Sequence, residues 1–188
     1  LMAWEMMAIA SFFLVAFDSE RDQVRQAAWT YLVATHLGSA LLLVMFVMIG
    51  NHTGSLDYAA WGNLKTAGQG FLNVLFVLGL IGFGVKAGMY PLHVWLPEAH
   101  PAAPSHVSAL MSGVMIKTGI YALIRFMSLL GLPPPWWGWL VLGIGIASGI
   151  LGVVFALAQH DIKRLLAYHS VENIGIIAMG LGLGFSTD

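Results

Sequence analysis

The sequence predicts an all-α fold, a polytopic membrane bundle of about six transmembrane helices, one of them discontinuous. Three observations carry that prediction. Of the 188 residues 59% are hydrophobic and 9% charged, with mean hydropathy +0.81, a composition of the membrane class and not of soluble domains. The apolar residues gather in runs close to the roughly 20 residues a helix needs to cross the hydrocarbon core. Finally, Pro91, Pro97, Pro101 and Pro104 interrupt one of these runs, and each removes a backbone donor and crowds the turn before it.

The composition also excludes several functions. A net charge of −1 with no basic run leaves no footprint for nucleic acid. Without cysteine these residues offer no disulfide, iron–sulfur ligand or reactive thiol, so any redox centre is expected in another subunit. No Walker loop, dinucleotide fingerprint, serine elbow or HExxH occurs.

The first run is 1–17, LMAWEMMAIASFFLVAF, with Glu5 as its single charge. It lacks a charged n-region and reads as the remainder of a cut helix, hence the chain as a fragment. A polar connection, 18–26, leads to the uncharged run 28–50, whose polar cluster is Thr35, His36 and Ser39; His36 reads as a structural histidine bonded to a neighbouring helix. Residues 51–69 form a long polar loop with Tyr58 and Trp61 as interfacial anchors.

The third helix starts near Gly70 and carries Lys86 between Gly84 and Gly88, small residues that admit a neighbouring backbone. Pro91 is expected to break it between Met89 and Pro97, after which LHVWLPEAH resumes helical form until Pro101 and Pro104 stop it. The fourth helix, about 105–127, takes Ser105 as its N-cap. On a 3.6-residue period His106, Leu110, Gly113, Lys117 and Tyr121 share one face, and Lys117 is expected to point into the bundle toward Lys86. A proline turn and an aromatic belt, Trp136, Trp137 and Trp139, precede the least polar helix, 138–158, whose Gly145 and Gly149 indicate tight packing and no site chemistry. After QHDIKR the last helix, about 165–185, sets His169, Glu172 and Asn173 on one face. Arg21, Arg25, Lys163 and Arg164 on one side against Lys65 and Arg125 on the other place the 18–26, 98–104 and 159–164 connections in the cytoplasm.

Charges at membrane depth define the candidate chemistry. A lysine at the centre of a bilayer helix costs about 2.5–3.5 kcal/mol on insertion scales, so Lys86, Lys117, Glu5 and Glu172 each require a partner or a task. Burial and a nearby opposite charge shift proton affinity in opposite directions, so a Glu5–Lys86 pair could be toggled by a small displacement. His93, His106 and His169 suit proton carriage between such groups and water. The same residues also fit a lock of paired charges that only fastens helices together. A metal site from His93, His100 and His106 is disfavoured, because spacings of seven and six match no zinc pattern.

Two blocks, PEAHPAAPSHVSALMSG and AYHSVENIGI, within VKAGMYPLHVWLPEAHPAAPSHVSALMSGVMIKTGIYALIRF and AQHDIKRLLAYHSVENIGII, carry a family resemblance. The chain resembles the antiporter-like proton-translocating subunits of respiratory complex I, Mrp antiporters and membrane-bound hydrogenases, and most of all the hydrogenase-4 and formate hydrogenlyase branch. The resemblance implies two inverted five-helix repeats, with 1–127 ending the first and 136–188 starting the second. It implies that Glu5 pairs with Lys86, that Lys117 is the central channel lysine, that His93 lines the connecting path and that the helix of Glu172 corresponds to that of Glu5. It further implies a proton-translocating subunit of a redox complex in a bacterial or archaeal inner membrane. Partners would be other membrane subunits and a peripheral redox arm, and the iron–sulfur, nickel–iron or flavin centres would lie in those partners, with no cofactor in this chain. A stand-alone Mrp-type cation/proton antiporter and a non-transporting membrane anchor for a hydrogenase arm remain the alternatives.

Overall fold

Every apolar run is a helix in the computed structural model, which describes residues 1–186. The side chain of Lys65, counted above for orientation, lies outside the described residues, as do Thr187 and Asp188. In chain order the helices are α1 (Met2–Val15), α2 (Asp22–Thr53), α3 (Gln69–Ala87), α4 (Leu96–Ala102), α5 (Ser105–Leu110), α6 (Ile116–Met127), α7 (Pro135–Leu157) and α8 (Ile162–Ser186). A π-helical turn, Met111–Met115, joins α5 and α6 into one rod, Ser105–Met127. No strand occurs among the described residues.

Four of these rods, α2, α3, α5–α6 and α7, are both long and apolar enough to cross a membrane. With α1 and α8 they make up the six expected helices. The 25-residue α8 is long enough, but its first half carries Lys163, Arg164, His169 and Glu172.

The break spans 88–95, opening at Gly88, one residue before the expected Met89. Gly88 ends α3 in the left-handed conformation, φ 71°, which glycine adopts without a Cβ penalty, and Met89 N then donates to Gly84 O at 3.0 Å. Helix resumes at Leu96, and here two details depart from expectation. Pro97 is tolerated in the first turn of α4, where a missing N–H costs no internal bond, and Pro101 sits inside α4 instead of ending it. Ser105 makes no cap: it is already helical, Pro104 holds the capping position, and no side-chain bond closes the end. The expected loop at 51–69 contains a 3₁₀ segment, Tyr58–Thr66, with Asp57 accepting from Ala59 N at 3.2 Å.

Packing follows the small residues. A Cβ on Gly145 would stand 2.6 Å from Met179 N, so α7 and α8 approach backbone to backbone. The α3–α6 contact is of the same kind, since a Cβ on Gly119 would stand 2.7 Å from Ala87 N. The core between the helices is filled by Tyr31, Trp95, Phe76, Leu96, Met111 and Trp137, all under 2% exposed.

Candidate intramembrane charge site

Lys86 occupies the last turn of α3, one residue before the helix ends, and is 5% exposed. Its neighbour on α1 is Glu5: Lys86 Nζ donates to Glu5 Oε1 across 3.4 Å. The carboxylate is held on two further sides from α2. Ser39 Oγ donates to Glu5 Oε1, and His36 Nε2 lies 3.4 Å from Oε2 while its Nδ1 meets the Leu32 carbonyl at 2.9 Å. Residues of α2 and α3 thus converge on the carboxylate of α1 and satisfy most of its lone pairs.

His36 and Ser39 are therefore part of the site, and sequence reasoning kept them apart from it. The available signal was their spacing: Thr35, His36 and Ser39 lie within one turn of an otherwise uncharged run, so one of them must face whatever lies beside it.

The backbone around Lys86 is fixed by groups that the break releases. Trp95, fully buried, donates from Nε1 to the Val85 carbonyl at 2.8 Å. Tyr90 N donates to Ser148 Oγ of α7 at 3.0 Å, and Ser148 is 0% exposed. The helix read as free of site chemistry therefore supplies an acceptor to the break. His93 lies in the same turn, 9% exposed, its ring 5.4 Å from that of Tyr90 and 6.2 Å from that of Tyr168. Its Nδ1 is buried without a hydrogen-bond partner among the described residues.

The remaining expected residues do not join this cluster. Lys117 is exposed, on the same open face as His106, Gly113 and Tyr121, and does not point toward Lys86. The reason is helical geometry. Gly119 is the residue that α6 presses against Ala87, and Lys117, two residues earlier, is turned about 200° away from that contact. Its Nζ instead folds back to the Ser112 carbonyl, an acceptor five residues earlier at the π-helical turn. On α8 His169 Nδ1 and Glu172 Oε2 form a separate pair at 2.6 Å. A cleft of about 560 Å³ lies between α5 and α8, with His100, Ser108, Ser112, Lys163, His169 and Ser170 among its walls. Ser112 and Ser170 hydroxyls bridge it at 2.8 Å, and Ser108 Oγ meets His100 Nδ1 at 2.8 Å. Among the described residues no group of His, Cys, Asp and Glu is arranged to hold a metal ion.

Residues 1–187 match the family described as NADH:quinone oxidoreductase/Mrp antiporter, transmembrane. The chain belongs to this family. Within it, the chain is 49% identical over 184 residues to hydrogenase-4 component B of Escherichia coli, covering 96% of this chain and 27% of that protein. It is 36% identical over 180 residues to formate hydrogenlyase subunit 3 of Escherichia coli, covering 96% and 28% respectively. Among solved structures it matches a chain of the Mrp complex from Dietzia sp. with TM-score 0.86 and 31% identity, over 97% of this chain and 20% of that one. The chain therefore spans about a quarter of the length of the curated relatives it matches. Its antiporter-like helical fold and its place in the membrane follow from the family and the shared architecture.

Proposed function

We propose that this chain is part of a proton-translocating subunit of a redox-driven membrane complex, of the hydrogenase-4, formate hydrogenlyase or NADH:quinone oxidoreductase type. The observation that supports it most is the lysine at 5% exposure facing Glu5 at 3.4 Å, immediately before a helix break. A pair at that separation with its lysine buried is sensitive to displacement: moving either partner changes the proton affinity of the other, by about 1.36 kcal/mol for each pKa unit. In this reading Glu5 and Lys86 exchange proton affinity, His93 links the break to water, and Lys117, His106, His169 and Glu172 continue the route. The open face of Lys117 and the α5–α8 cleft are then its hydrated continuation. The redox chemistry belongs to partner subunits: iron–sulfur clusters with nickel–iron or flavin centres in a peripheral arm, joined through other membrane subunits in a bacterial or archaeal inner membrane. Residues 1–127 and 136–188 are taken as the end of one inverted repeat and the start of the next.

A second reading, a cation/proton antiporter subunit of Mrp type, is supported by the TM-score of 0.86 to a chain of an Mrp complex. The experiment that separates the two is purification of the native complex with its co-purifying subunits, followed by proton uptake into vesicles with and without the electron donor. Uptake that needs electron transfer supports the redox-driven subunit; uptake driven by a sodium gradient alone supports the antiporter. Full assembly with no uptake under either condition leaves a membrane anchor.

A further inference from the structure

We infer that Ser148 is a positioning residue for Lys86, holding the turn after α3 from the other side of the bundle so that both halves of the chain set the break together. This rests on the proton-transfer reading of Glu5 and Lys86 given above.

The argument begins with the backbone. Where α3 ends, the N–H groups of the following turn lose their i−4 carbonyls and need other acceptors. Gly88 N and Met89 N fold back onto Val85 O and Gly84 O, and Pro91 has no N–H. Tyr90 N lies between them and takes its acceptor from Ser148, 58 residues away. Ser148 is conspicuous on its own helix. Between 138 and 158 it is the one hydroxyl in an apolar sequence, and its exposure is 0%. A hydroxyl in such a place is costly unless bonded, and here the bond also satisfies an amide that the break has orphaned.

The bond acts on Lys86 through a short stretch of chain. Tyr90 is four residues beyond Lys86, across the left-handed Gly88, and Trp95 Nε1 fixes the Val85 carbonyl just before the lysine at 2.8 Å. The other end of the interrupted segment is held by α8, where Lys163 Nζ donates to Ala103 O at 2.8 Å and Arg164 Nε to Pro97 O at 3.2 Å. The α7–α8 hairpin thus grips the segment at both ends, and a movement of the hairpin is passed to the backbone that carries Lys86. At 3.4 Å the Lys86–Glu5 contact is near the outer limit of a hydrogen bond, where such a movement has most effect.

The test uses the full-length subunit in its native complex, reconstituted in vesicles. In Ser148→Ala we expect amide exchange at Tyr90 to rise about tenfold, the consequence of losing one buried acceptor. We also expect slower proton transport per assembled complex and a displaced midpoint in its pH profile. Glu5 from α1, and His36 and Tyr31 from α2, are the titratable groups that the described residues set about Lys86, and they are unaltered in this variant. Ser148→Thr keeps the acceptor and should restore both readings; if it does not assemble, the alanine variant decides alone. Exchange at the wild-type rate, or a pH midpoint at the wild-type value, overturns the inference, the second making Ser148 a packing residue only. Wild-type transport by Glu5→Gln and Lys86→Met would instead remove the proton-transfer reading, while the exchange measurement would still decide the bond.

Discussion

The ammonium of Lys86 and the carboxylate of Glu5, 81 residues apart in sequence, meet at 3.4 Å from separate helices, with the lysine 5% exposed. Breaking such a pair by removing one partner leaves an uncompensated charge, a change that costs about 3–5 kcal/mol in fully buried cases. Glu5 keeps partial exposure, 28%, and the cost here should fall below that range. Glu5→Gln is expected to lower both thermal stability and proton uptake. Adding Lys86→Met to it should recover assembly but not uptake. Recovery of uptake in the double variant would show the pair to be a structural lock.

Lys117 provides a cleaner separation of charge from proton release. Arginine keeps the charge and does not release its proton near neutral pH, so it cannot pass one on. Lys117→Arg should therefore insert and assemble normally, yet transport should fall at least tenfold in vesicles. Lys117→Ala should behave alike, since it removes the charge and with it the proton-releasing group. Normal uptake by the arginine variant would take Lys117 off the route.

Two glycines of the same rod make opposite predictions. Nothing lies within 4 Å of a Cβ added at Gly113, whereas one added at Gly119 meets Ala87 N at 2.7 Å. Gly113→Ala should leave the melting temperature of the purified complex unchanged. Gly119→Val should lower it by pushing α6 off the end of α3, an overpacking cost of about 1–3 kcal/mol. Equal melting temperatures would mean that the two helices do not pack as described.

The ion pairs of α8 should differ in the same way. Arg164 Nη2 and Glu98 Oε1 meet at 2.9 Å with side chains 40% and 47% exposed, so Glu98→Gln should change stability by less than about 1 kcal/mol. Glu172, paired to His169 at 2.6 Å and 24% exposed, should matter for transport and little for assembly. Glu172→Gln with unchanged uptake would place the His169–Glu172 pair outside the proton route.

By itself the sequence determined the solvent, the punctuation and the cost of the charges. Hydropathy demands a membrane, and Pro91 after an apolar run demands a break, because both follow from properties of consecutive residues. Lys86 and Glu5 were legible as charges needing partners for the same reason. Tertiary structure decided which residues meet. Helical periodicity assigns His106, Gly113, Lys117 and Tyr121 to one face, but it does not say whether that face is covered, and here Gly119 turns the opposite face to α3. Nor does periodicity reveal that His36 and Ser39 reach Glu5, or that Ser148 reaches Tyr90. Those bonds span 31, 34 and 58 residues, and only the packing of separate helices brings their ends together.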